Sequence, residues 1–378
     1  SRIGATTALT LSLLIASSLS CCRHDCPRHL NELRENTHDA HSTSAEPWPN
    51  GDKMPVMGLW SRRQVIGTAL GMSALALAGC APDPKARKHR GEKEAPGGRQ
   101  LTPQVRNDLS AGAHKENQLA DLATAVAGAD AANRAKLNAL AAAHRRHAAV
   151  LGADDPFDAQ AATKASSTPA KASSSPTPDE SPTLDSLRRT RRETAAWYRT
   201  HAVSADDPSL ALLWASLSVF AGNSSTAPAA RLDDIWLVQI DEEPVVDAQQ
   251  VLLSHINAML GGLEWGLGQT TDATLHEWGS QRREQLRTLR TSIHEQVRDA
   301  SATPTPFNPA YSMPGRPANP AATRAMWAQL QENVISAAGR VTAATQSQKR
   351  ADAVKLMADE LTHLGELGAA TPTWPGWV

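Results

Sequence analysis

The sequence predicts an all-α fold: two tandem four-helix bundles behind an N-terminal leader region. Three observations carry that expectation. Apolar side chains recur at three- and four-residue spacing over eight separate stretches, which is the period of an amphipathic helix. Alanine is abundant, Phe and Tyr number only 3 and 2, and β-branched runs are scarce, a composition that suits helices better than sheets. All four cysteines lie at or before position 80, so residues 81–378 have no disulfide framework and depend on packing.

The leader comes first. Val65 to Leu77 holds thirteen residues without a charge, whereas a membrane-spanning helix needs roughly 20, so the run suits a signal-peptide core. Arg62 and Arg63 precede it and small residues follow, completing the order of basic, apolar and cleavage regions over residues 57–79. The last four residues, Leu77-Ala78-Gly79-Cys80, resemble the lipobox of bacterial lipoproteins. The resemblance implies cleavage before Cys80, a diacylglycerol thioether on its thiol, and a fatty acyl chain such as palmitate on the new amine. It also implies a lipid-anchored protein on the outer face of the cytoplasmic membrane. Ser61-Arg62-Arg63-Gln64-Val65-Ile66 is similar to a twin-arginine export signal, but Val65 stands where an aromatic residue is usual and no lysine follows. General export of an unfolded chain therefore stays open beside it. Residues 1–56 hold Cys21, Cys22 and Cys26 without the spacing of a zinc site and read as an upstream extension outside the native protein, with Met57 as its start. Residues 80–101 are a polar tether bearing proline and glycine.

The first bundle is expected over 102–222. Val105, Leu109, Leu119, Leu122 and Val126, then Leu137, Leu140 and Val150, give a helical hairpin that breaks at Gly128-Ala129-Asp130. Residues 162–183 are rich in Ser, Pro, Thr and Ala, lack a periodic apolar face, and read as a disordered insert. Leu184 to Ala202 and Pro208 to Ala221 supply the third and fourth helices, with Trp197, Leu212, Leu213, Leu217 and Phe220 as core. Residues 223–246 form a linker in which Asp233, Asp234, Asp241, Glu242 and Glu243 flank the apolar Ile235-Trp236-Leu237-Val238. Paired acids can serve acid–base chemistry, but this pattern reads as a solvated link with a docking centre.

The second bundle is expected over 247–378. Leu252, Ile256, Met259, Leu260, Leu263 and Leu267 form one stripe, and Leu275, Trp278, Leu286, Leu289, Ile293 and Val297 the next. A crossover of eighteen residues, Thr303 to Pro320, leads to helices carrying Trp327, Leu330, Val334, Ala338 and Val341, then Val354, Met357, Leu361 and Leu364. Two short links and one long crossover match a ferritin-like connection better than a simple up-down bundle. Pro309-Ala310-Tyr311-Ser312-Met313-Pro314, with Gln281-Arg282-Arg283-Glu284-Gln285-Leu286 before it and Thr373-Trp374-Pro375-Gly376-Trp377 after it, resembles the actinobacterial ferritin-like domain of unknown function. The resemblance spans Asp247 to Trp377. It implies a proline-tyrosine crossover between helix pairs, an arginine pair on the second helix, and a tail that closes the bundle. The chain departs from that family at Ser254, which precedes His255 where Glu-His is frequent, and at Gly279, where His is common.

Di-iron carboxylate bundles need a Glu from each of two helices and Glu-x-x-His from each of the other two. The second bundle offers only one such pair, Glu360 with His363, and Glu360 beside Leu361 is expected to face solvent. In the first bundle His144 and His147 are three residues apart on one face, and Glu116 on the preceding helix is placed to oppose them. Imidazoles suit zinc, copper, nickel and iron, so these five residues are the metal candidates. No phosphate loop, nucleophile elbow or H-E-x-x-H motif is present. From Cys80 onward the chain has 31 basic and 33 acidic residues, which gives no field for nucleic acid. The expected function is a lipid-anchored binding or scaffolding module, its partners the membrane through the anchor and an envelope protein or apolar ligand. No cofactor beyond the lipid on Cys80 is expected; a degenerate ferritin-like metal binder or metal-dependent oxidase is the rival.

Overall fold

Five of the eight described helices begin at a residue whose side chain caps them. A computed structural model describes residues 101–157, 182–223, 230–232, 237–308 and 317–377. Arg62, Arg63, Leu77, Ala78, Gly79 and Cys80 lie outside the described residues, as do most of the Ser/Pro-rich insert and Pro309 to Pro314. Helix α1 (Pro103–Ala129) starts with Thr102, whose hydroxyl accepts the Val105 amide, and with Pro103 at its first position, where a missing N–H costs nothing. Asp130 then accepts from the backbone and side chain of Asn133 at 3.1 and 2.8 Å, turning the chain into α2 (Arg134–Leu151). A reciprocal Thr183/Ser186 capping box opens α3 (Leu184–Ser204). Asp207 caps α4 (Pro208–Gly222), in which every residue from Ser209 to Ala221 is buried.

The remaining helices are α5 (Val245–Leu267), α6 (Ala273–Asp299) capped by Asp272, α7 (Pro320–Ala344) capped by Asn319, and α8 (Ser347–Glu366). These eight helices dominate the described residues, so the all-α class holds. None of them is long and apolar enough to cross a membrane. One departure is a two-residue parallel pairing of β1 (Ala230–Arg231) with β2 (Thr371–Pro372). No hydrophobic alternation announces strands this short, so periodicity could not reveal them.

Helix α1 packs on α2, α3 on α4, α5 on both α6 and α7, and α7 on α8. Helix α4 also packs on α7 and α8, and α3 on α8. A helix buried on all sides must sit among others, and α4 does so. Leu212, Leu213, Trp214 and Leu217 join Tyr198, Ile335, Ala338, Met357, Leu361 and Trp374 in one apolar core drawn from both halves of the chain. A second core gathers Leu252, Ile256, Met259, Leu263, Leu286, Val297, Trp327 and Val334.

Two devices bind the halves. Arg350 of α8, 1% exposed, donates to the carbonyls of Ala202 and Ala205 at the end of α3 and to Thr345 on its own side. A guanidinium there satisfies carbonyls that a helix end leaves open and meets the negative pole of its dipole. The second device is the C-terminal tail. Beyond β2, Thr373 donates to the Arg231 carbonyl at 2.5 Å and Trp374 is buried. Gly376, with φ +91°, lies so close to Gly339 of α7 that a Cβ on Gly339 would strike its backbone, and a Cβ on Gly376 would strike Met357. The tail thus reaches past its own helices to α2, beyond the role of closing the second bundle that its resemblance implies.

Candidate metal centre

The buried stripe of α1 runs Leu109, Gly112, Glu116, Leu119, Ala120 and Ala123, and that of α2 runs Leu140, Ala141, His144, His147, Ala148 and Leu151. Helical spacing therefore drives a carboxylate and two imidazoles into the same interior, and all three side chains are fully buried. One ligand atom from each lies within 4.8 Å of the others, the one group of three or more such donors among the described residues.

Glu116 Oε2 faces His144 Nδ1 at 2.6 Å and His147 Nδ1 at 3.1 Å. Its Oε1 accepts from the Tyr198 hydroxyl of α3 at 2.8 Å. His147 Nε2 lies 2.8 Å from the Thr373 carbonyl, an acceptor only, so that nitrogen carries a proton and donates. The neutral ring then presents a bare Nδ1 to a carboxylate oxygen. Two lone pairs at that distance repel unless a proton or a metal ion is shared by both atoms. Commitment of one imidazole nitrogen to a carbonyl is also how metal-binding histidines are oriented. His144 Nε2 is buried without a hydrogen-bond partner, so one of its ring nitrogens stays unsatisfied in either tautomer. The Phe220 ring stands edge-on to both imidazoles, and the Trp374 ring lies 4.5 Å from that of His147.

Burial opposes ionisation of Glu116, but the charges and hydrogen bonds of His144 and His147 outweigh it and hold the carboxyl well below its usual range. Burial lowers His144, and Glu116 only partly restores it. The Tyr198 hydroxyl is pushed well above its ordinary value by burial and then by Glu116, so it stays protonated and donates. Arg191 of α3 is lowered to about 10 by burial, with the Glu116 charge opposing, and remains cationic at neutral pH. The centre thus offers an ionised carboxylate and two imidazoles in a buried, largely apolar shell, a donor set for one ion of the zinc, copper, nickel or iron class.

The other two metal candidates go elsewhere. Glu360 is 2% exposed rather than facing solvent, because Arg282 of α6 and Gln331 of α7 bury with it. Arg282 donates to Glu360 Oε2, and Gln331 Nε2 donates to the same oxygen at 2.6 Å. His363 turns away and meets Glu366 at 3.0 Å. A guanidinium therefore already stands against this buried carboxylate. Gly279 makes room for Trp327, whose ring a Cβ there would strike at 2.6 Å.

No family model, curated protein or solved structure matches this chain. Its function rests on the site itself. Sequence reasoning missed Tyr198, Arg191 and the Thr373 carbonyl. Tyr198 had one signal, since it is one of two tyrosines and sits on the apolar stripe of α3, where a buried hydroxyl needs a partner. Arg191 lies among Arg188, Arg189 and Arg192, and its one signal is the spacing that puts it on the stripe of Leu187 and Tyr198.

Proposed function

We propose that the chain is a lipid-anchored cell-envelope protein of two tandem helical bundles, the second ferritin-like, that works as a binding module rather than a catalyst. The species it holds is one transition-metal ion, on Glu116, His144 and His147. The observation that carries this reading is the shared carboxylate oxygen: two imidazole nitrogens converge on Glu116 Oε2, while the far nitrogen of His147 is fixed by Thr373. The sequence alone calls for no metal, and the convergence of three donors is what favours one. The oxidase reading is less well supported, because a dinuclear site needs about six converging ligands and Glu360 is engaged by Arg282. The lipobox supports the anchor, and the tether over residues 80–101 supplies reach from the membrane.

Two experiments test the two parts. Protein purified natively without a histidine tag should carry close to one equivalent of zinc, copper, nickel or iron, and Glu116→Gln should abolish it. Less than about a tenth of an equivalent, with no thermal shift on adding zinc, removes the ion from the proposal. Cys80→Ala should move the protein from the membrane fraction to the soluble fraction; retention with unchanged mass removes the anchor.

A further inference from the structure

A second site lies away from the Glu116 centre, and its case does not depend on a metal ion. A cleft of about 270 Å³ opens between α5, α6 and the segment that follows α6. Its buried wall is Asn257 of α5, which is 1% exposed and has neither its amide oxygen nor its amide nitrogen hydrogen-bonded. Buried amides are almost always satisfied, and this one, which lines the cleft, has both a donor and an acceptor without a partner.

The facing wall is cationic. Arg290, His294 and Arg298 follow one another at four-residue spacing on α6, so they share one face. Elsewhere on that helix Arg282 pairs with Glu360 and Arg287 with Glu284 and Glu264, but neither Arg290 nor Arg298 has an ion pair among the described residues. Glu295 also lines the cleft, so two guanidinium groups against one carboxylate leave it with a net positive charge. His294 is pushed below its ordinary range by burial and then by Arg298 and Arg290, which places it in the same cationic field as an uncharged ring. The rim is apolar. Gln250 accepts the Thr305 amide at 2.7 Å and donates to the Thr303 carbonyl at 2.7 Å, fixing the segment that carries Phe307 over the opening.

We propose that this cleft binds a small organic oxyanion, its charged end on Arg290 and Arg298, its hydrogen-bonding end on Asn257, and an apolar portion against Phe307. The volume falls at the lower edge of small-molecule sites, which limits the ligand to the size of an aromatic carboxylate or a simple phosphate ester. Guanidinium forks match both oxyanions.

The test titrates the whole mature chain with benzoate, phenyl phosphate and inorganic phosphate at constant ionic strength, read by calorimetry and thermal shift. Wild-type protein should bind at least one of the two aromatic anions more tightly than inorganic phosphate, and the better of the two names the headgroup. Arg290→Gln with Arg298→Gln, both on the surface of a packed helix, should weaken binding at least about tenfold. Glu295→Gln removes the like charge and should tighten it. Asn257→Leu should lose binding yet raise the thermal midpoint of the free protein, since it replaces an unsatisfied buried amide with an apolar side chain. Failure of both aromatic anions to bind at up to about 10 mM overturns the site, and so does affinity unchanged in the double arginine variant. Equal binding of inorganic phosphate, with no gain from the ring, overturns the role of Phe307 and marks an adventitious ion only.

Discussion

At residue scale, Glu116 carries the largest single consequence. Its carboxylate accepts from Tyr198 and faces both imidazoles, so Glu116→Leu leaves three buried polar groups without their partner and should destabilise the fold by about 3–5 kcal/mol in chemical denaturation. Tyr198→Phe removes one donor to Oε1 and should cost about 1–2 kcal/mol while leaving ion binding in place. A structural polar network without metal predicts the same order of destabilisation but no ion to lose, so metal content separates the cases. His255 tests burial elsewhere. Burial, and then the Arg340 charge, push it to about 4 from its ordinary 6.5. Between those values the unfolded chain binds a proton that the folded chain refuses. Stability is therefore full above pH 6.5 and falls as the pH drops toward 4, by at most about 1.4 kcal/mol per unit. His255→Gln should flatten that part of the profile, measured as the difference from wild type in urea midpoints.

At the scale of elements, the helices were legible because apolar stripes are local; the caps that start five of them are a finding of the structure. Thr102-Pro103, Asp272 and Asn319-Pro320 mark starts within a few residues, and the hairpin break at Gly128-Ala129-Asp130 falls between α1 and α2. The Glu116, His144 and His147 group was legible for the same reason, since each lies on a readable stripe. Glu360 was misread because its partners, Arg282 and Gln331, come from other helices, and a carboxylate beside a core leucine looks the same in sequence whether water or a guanidinium meets it. The trio gives a clean prediction. Glu360→Gln should cost about 3–5 kcal/mol by stranding Arg282, whereas Arg282→Met with Glu360→Leu should restore most of it. Gly279→Ala, which drives a methyl into Trp327, should cost about 1–3 kcal/mol by overpacking, read as a lowered thermal midpoint.

At the scale of the whole molecule, what sequence could not convey is which halves meet. Arg350 closing the end of α3, and α4 lying among helices of both halves, depend on pairings more than a hundred residues apart that no local pattern encodes. Arg350→Met should therefore destabilise both halves together, and a single cooperative unfolding transition should shift without splitting. Two separate transitions in the wild-type protein would contradict the shared core.

The tail also sets an order in time. The Thr373 carbonyl that fixes His147 is made more than two hundred residues after Glu116 and His144. Chains emerge N-terminus first, at about 5–20 residues per second, so the first four helices spend that interval with His147 unpinned. Completion of the centre then waits on synthesis of the segment around Thr373, and a chain that ends before it yields a helical protein whose His147 has lost its anchor.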